Sequence, residues 1–217
     1  MRIYALFLLG WAGMFSTALA APALYSTGPG EASAYIRFVN LTSQPVSLGA
    51  AEQVLEGMQA SDFQTVTSGK ALGGVIRSGE QSLLLQDSLP EGAFLTVAIV
   101  ESQGSLSMSR FLDEVSDFSA KRSSVSLYHA APDCGLADVK VQGRDLRLVQ
   151  GVAYGQVMRR QFNPAELNLE VVCAEQTSPI PVPSQGMLEP GERYSILLYQ
   201  NAEGERSVQW IKDTMQK

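Results

Sequence analysis

The chain has 217 residues, a formal net charge of −6 and a single histidine, enough length for one large or two small domains. One imidazole excludes most hydrolase, zinc and proton-shuttle mechanisms, which need a histidine with a positioned partner. Residues 21–120 carry 4 Lys and Arg against 11 Asp and Glu, whereas residues 121–217 carry 11 of each; nucleic acid and other polyanions are repelled by the first half, and any polyanion bound at all must meet the second.

Arg2, the uncharged apolar stretch 3–15 and Ala18-Leu19-Ala20 follow one another in the order of a secretion signal, small-x-small cleavage site included. Residues 1–20 are therefore expected to be a signal peptide, with the exported chain starting at Ala21. The apolar stretch is shorter than the roughly 20 residues a membrane span takes. No cysteine follows it to carry a lipid, and no later segment is long and apolar enough to span.

A β-rich pattern then occurs twice. The first copy opens Ala34-Tyr35-Ile36-Arg37-Phe38-Val39-Asn40 and ends Leu89-Pro90-Glu91-Gly92-Ala93-Phe94-Leu95-Thr96-Val97. The second opens Ser124-Val125-Ser126-Leu127-Tyr128-His129-Ala130 and ends Leu188-Glu189-Pro190-Gly191-Glu192-Arg193-Tyr194-Ser195-Ile196. Each starts on an alternating strand, and a Pro/Gly turn launches its last one. Within the first copy, 46–48, 63–67 and 74–77 read as short strands, Ser82-Leu83-Leu84-Leu85 as a strand buried on both faces, and 94–100 as the strongest strand. Residues 101–123 shift to Ser, Asp and Glu and read as an edge strand and linker, with a short helical turn within 109–119.

In the second copy Asp138-Val139-Lys140-Val141 alternates into a hairpin turn at Gln142-Gly143-Arg144, and Leu167-Asn168-Leu169-Glu170-Val171 has period two. Three prolines within 178–183 make an extended edge or loop, and 194–198 and 207–211 close the copy. Short strands, frequent turns and almost no helical periodicity predict an all-β fold of two tandem antiparallel β-sandwich domains, at 21–115 and 124–217, joined by a linker at 116–123. Phe38, Leu84, Phe94 and Val97 should be buried in the first, and Leu127, Val139, Leu169, Val171, Tyr194 and Ile196 in the second.

Cys134 and Cys173 are the only cysteines. An isolated pair in an exported chain favours a disulfide, which over this loop stabilises the fold by roughly 4 kcal/mol if chain entropy sets its effect. No further ligands accompany them for a metal. His129 is expected to bond the turn after its strand. Ser126 lies three positions earlier and points to the opposite face, so it forms no triad with His129 and Asp133. No nucleophile block and no Gly-rich phosphate loop is present, so no catalytic residue, cofactor or metal is expected. Arg144, Arg147, Arg159 and Arg160 flank 148–157, either as a solvated basic face or as a docking patch for an acidic partner or an anionic sugar polymer. Most tyrosines alternate with aliphatic residues and so belong to the core or its rim rather than to sugar-stacking platforms.

Ala23-Leu24-Tyr25, the Gly/Pro turn after it and the opening strand 34–40 resemble the start of mature AlgF proteins, the periplasmic alginate-biosynthesis proteins required for acetylation of the polymer. The resemblance covers the whole exported chain and rests on strand and turn patterns, not on active-site signatures. Residues Leu127-Tyr128-His129-Ala130-Ala131-Pro132-Asp133 and Asp138-Val139-Lys140-Val141 also resemble a widespread exported β-sandwich module, a general carbohydrate- or protein-binding alternative. The AlgF resemblance implies a non-catalytic periplasmic adaptor in O-acetylation. It implies as partners a membrane O-acyltransferase and a periplasmic SGNH-type acetyltransferase, with at most weak contact to the polysaccharide.

Overall fold

Every regular element among the described residues is a strand. The computed structural model describes residues 32–49, 53–114, 119–174, 178–183 and 186–216; the expected signal peptide and residues 116–118 of the expected linker lie outside them. The first copy supplies β1 (Ser33–Asn40), β2 (Val46–Leu48), β3 (Gln53–Leu55), β4 (Gln64–Thr67), β5 (Ala71–Ser78), β6 (Gln81–Ser88), β7 (Ala93–Ser102) and β8 (Ser105–Glu114). The second supplies β9 (Ser123–Ala130), β10 (Ala137–Val141), β11 (Arg147–Val152), β12 (Val157–Phe162), β13 (Ala165–Glu166), β14 (Leu169–Cys173), β15 (Ile180–Pro181), β16 (Met187–Leu188), β17 (Arg193–Gln200) and β18 (Arg206–Lys212).

The repeat seen in the residues is a repeat of topology. In the first copy the sheets run β4-β1-β7-β8 and β3-β2-β5-β6; in the second they run β12-β9-β17-β18 and β11-β10-β14-β15. Taken in chain order, β1 to β8 correspond to β9, β10, β11, β12, β14, β15, β17 and β18, and the β13–β16 ribbon is the insertion that lengthens the second copy. Even the closing turns match. Gly92 and Gly191 both take positive φ, 73° and 79°, which glycine adopts without a Cβ clash. Their N–H groups bond the carbonyls of Ser33 (2.8 Å) and Arg122 (3.0 Å), just ahead of or at the start of each opening strand.

One pairing departs from the sequence reading. β1 runs parallel to β7, with Phe38 opposite Val97, and β9 runs parallel to β17, with Leu127 opposite Ile196. Each sandwich is therefore mixed rather than wholly antiparallel. A parallel pair needs a long crossover, and here the chain crosses through the other sheet of its sandwich before returning. A second correction concerns 82–85. β6 belongs to a sheet of which only one face is covered: Leu85 is buried while Leu84 is 59% exposed. Residues 109–114 belong to strand β8, paired along β7, and not to a helical turn.

Each copy fills its own core. Ala34, Ile36, Phe38, Leu95, Val97 and Ile99 belong to the first, and Val125, Leu127, Val139, Leu169, Val171 and Ile196 to the second. A disulfide between Cys134 and Cys173, with Cα atoms 5.1 Å apart, ties the segment after β9 to the end of β14 inside the second. Residues of opposite parity build a further layer, where the two inner sheets meet. Val39, Leu41, Ala98, Val100 and Phe111 pack against Tyr128, Ala130, Leu197 and Tyr199. Strands β7 and β9 are consequently buried on both faces, or nearly so. The described residues fall in one compact unit, a stack of four sheets.

A charge sits inside that layer. Arg37 is 1% exposed. Its guanidinium donates to Thr96 Oγ1 (3.0 Å), to Ser195 Oγ (2.7 Å) and to Asp213 Oδ1 (2.6 Å), and Ser195 also donates to Asp213 (2.7 Å). It lies over the rings of Phe63 (4.5 Å) and Tyr128 (5.3 Å). Burial alone would lower its pKa, but Asp213 and Tyr128 more than offset this, so the charge is held firmly. Beyond Asp213 the chain continues onto the first copy: Phe63 N–H bonds Thr214 O and Gln216 N–H bonds Phe63 O, both at 2.9 Å.

Removing one partner of a buried pair strands the other charge. Arg37→Met should therefore destabilise the protein by about 3–5 kcal/mol in urea unfolding, and adding Asp213→Leu to it should recover part of that loss. A single substitution costing under about 1 kcal/mol, the range of an exposed pair, would show that the network does not hold the two copies together.

Candidate functional site

The four arginines singled out by the sequence do not form one surface. Arg159 and Arg160 are neighbours on β12, so the pleat sends them to opposite faces. Arg159 turns into the layer between the copies, where its Nε donates to Ser126 Oγ at 3.0 Å and its Nη2 pairs with Asp113. Arg160 and Arg144 are exposed, and Arg144 sits in the β10–β11 turn. Arg147 is held by Asp138, whose other oxygen accepts the Gly151 N–H at 2.7 Å. A patch of four is thus corrected to an inward ion pair, a surface ion pair and two solvated charges. Strand parity was available in the sequence, and it already separated Arg159 from Arg160.

Two openings lie among these residues. A shallow groove of about 540 Å³ covers the outer face of β10, β11 and β14, lined by Leu136, Asp138, Lys140, Arg147, Gln150 and Val172. Its charges are of mixed sign, and Leu136 is 51% exposed at its rim. The second is a cleft of about 220 Å³ at the start of β9 and β17, lined by Ser119, Arg122, Ser124, Gln161, Gly191 and Arg193. Arg193 stacks over Phe94 of the first copy at 5.4 Å, which places the cleft at the junction of the copies.

His129 is fully buried at the end of β9. Its Nε2 lies 2.9 Å from Gly135 O and its Nδ1 accepts the Ala131 N–H at 3.3 Å. This fixes a neutral tautomer with the proton on Nε2. Burial lowers its pKa, opposed by the Gly135 bond and by Asp133. The ring therefore organises the turn, as the sequence reading expected. Asn40 does the same for the first copy: its Oδ1 accepts the Thr42 N–H (3.0 Å), and its Nδ2 donates to Gln44 O and Leu55 O (2.8 and 3.1 Å). Position 129 is thus the counterpart of position 40.

Sequence reasoning passed over Arg37, Asp113, Ser195 and Asp213, which carry the buried polar layer. A signal existed, since Arg37 interrupts an otherwise apolar and aromatic strand at a position flanked by buried residues on both sides. Among the described residues, no group of three or more His, Cys, Asp or Glu is placed to hold a metal ion, and no helix is long and apolar enough to cross a membrane.

No family model matches the chain, and no curated protein matches it. Among solved structures it is similar to a candidate cell adhesion protein from Bacteroides ovatus, at 9% identity and a TM-score of 0.29, over 85% of this chain and 98% of that one. A likeness of that size carries no functional argument.

The histidine gives a pH dependence whose sign is fixed. The folded state binds the proton less tightly than an unfolded chain, where histidine titrates near 6.5, so stability is complete above that value and falls as the pH drops through it. Urea midpoints should decline between pH 7.5 and 5.5, and His129→Asn, which copies Asn40, should flatten the decline. An equal decline in the variant would assign it to other groups.

Proposed function

We propose that the protein is an exported, non-catalytic adaptor that brings protein partners together in exopolysaccharide O-acetylation, the role its resemblance to AlgF proteins implies. The observation that carries this reading is the commitment of its one imidazole. His129 is buried with both ring nitrogens bonded to the turn it shapes, which leaves it unfit to accept a proton from a substrate. The hydroxyls of Ser126 and Ser195 serve Arg159 and the Arg37–Asp213 pair in the same way. The disulfide suits an oxidising compartment, for which the periplasm is the setting proposed.

In this role the acetyl transfer belongs to partners, a membrane O-acyltransferase and a periplasmic SGNH-type acetyltransferase. The protein contributes fused sandwiches whose outer faces remain open for docking. A second reading, a general carbohydrate- or protein-binding module, is favoured by the groove with Lys140 and Arg147 on the outermost sheet.

Deleting the protein from a producing cell should abolish acetylation of the polymer while unacetylated polymer is still made, scored by ester content against uronate content. The purified protein should leave a chromogenic acetyl ester intact. Normal acetylation after deletion would reject the adaptor reading in favour of the general module, and ester hydrolysis lost in His129→Asn would reject both.

A further inference from the structure

The sheet β3-β2-β5-β6 covers the first core with one face and turns the other to solvent. On the solvent face Val75 of β5 pairs with Leu84 of β6, Arg77 with Ser82 and Gly73 with Gln86. Val54 of β3 joins them, and Val54 and Leu84 are 56% and 59% exposed. The four strands hold two charged residues, Arg77 and Asp87, and Asp87 has the opposite parity. Arg77 is thus the one charge these strands present on that face, although residues 21–120 contain 11 acids. By contrast, the matching sheet of the second copy carries Asp138, Lys140, Arg147 and Glu170 on its outer face.

Gly73 is a second sign. Glycine inside a strand weakens it, and marks a bulge, a bend or the close approach of another backbone. The β5–β6 ladder runs from Ala71 to Ser78 without a shift of register, so no bulge is present. The φ of Gly73 is not positive, and a Cβ there would meet nothing nearer than Leu85 O at 3.8 Å. Nothing within the molecule requires glycine at this position, whereas a second surface approaching closely would. The dimensions suit another sheet. Four strands wide and eight residues long in β5 and β6, the face measures roughly 19 Å by 26 Å at its broadest. Two such faces stacked come near the lower limit of specific interfaces, about 1,000 Å² in total. A surface that packs on itself confronts its own charges. Acids scattered over it would repel their twins, but a single cation towards one end need not meet its own.

We propose that this face joins two molecules of the protein, sheet on sheet, into a two-fold dimer. The axis runs across the strands at the level of Val75 and Leu84, so that each of these side chains meets its twin. Arg77 of one molecule then lies over Gly73 of the other, where the missing side chain makes room. Gln86 beside that glycine offers a side-chain carbonyl to the guanidinium. The dimer stands apart from the adaptor role, and either can hold without the other.

The test is sedimentation equilibrium of the exported chain, residues 21–217, over the micromolar range. The mean mass should rise from one chain towards two, at concentrations as high as the modest area implies. Leu84→Glu and Gly73→Lys should each weaken association about tenfold or more. Both positions face solvent in the single molecule, so unfolding midpoints measured in dilute solution should stay unchanged. Leu146→Glu, at a position 46% exposed in the β10–β11 turn, should leave association as it is. A chain that stays monomeric at the highest concentration would overturn the dimer and leave the face to a protein of another sequence. A dimer indifferent to both Leu84→Glu and Gly73→Lys, or broken by Leu146→Glu, would overturn its assignment to this face.

Discussion

A desolvated guanidinium governs the arrangement of this protein. Arg37 enters the interior from the middle of β1, and its hydrogen-bonding arms reach Thr96 on the neighbouring strand β7 as well as groups that only the completed four-sheet stack brings near. Two of those groups, Ser195 and Asp213, come from the second copy. Burying a charge without them would cost several kcal/mol, so separation of the copies is penalised in a way that apolar contact alone does not impose. Apolar surfaces tolerate sliding; a guanidinium answered at fixed distances does not. Asp113 and Arg159 make the reciprocal connection, acid from the first copy and base from the second.

Duplication explains much of the rest. Two copies with one topology present inner sheets of the same strand order, and face-to-face packing gives each strand of the central pair a second burial surface. Asn40 and His129 show the copies solving the same local problem, an ordered turn after a strand buried on both sides, with different side chains. Asp113 and Asp213 stand at matching places beyond Phe94 and Arg193, yet they answer arginines from different strands, β12 and β1. The layer is thus built from equivalent acids and non-equivalent bases.

The residues disclosed the fold class, the repeat, the closing turns and the cysteine pair, because each is written locally: period-two alternation, Pro and Gly at fixed turn positions, and two cysteines without competitors. Parallel pairing of β1 with β7 was not legible, since alternation specifies which face is buried and not the direction of the neighbour. Leu84 misled because a run of leucines signals burial on both faces, whereas the sheet that holds it has one face uncovered, which tertiary order alone decides. The arginines misled for a related reason. Closeness in sequence suggested a patch, and the pleat divided it. The buried layer between the copies depended on residues 176 apart, a separation over which no local pattern speaks.

That separation has a bearing on how the chain is made. A polypeptide made from its amino terminus delivers Arg37 first and Asp213 only 176 residues later. Until the latter arrives, the first copy holds a guanidinium in want of an anion, along with a Phe63 edge whose backbone partners, Thr214 and Gln216, are still to come. Contacts this distant slow the search for the native state. The first copy therefore reaches its final packing only once Asp213 has followed it, and the two copies mature as one event rather than one by one.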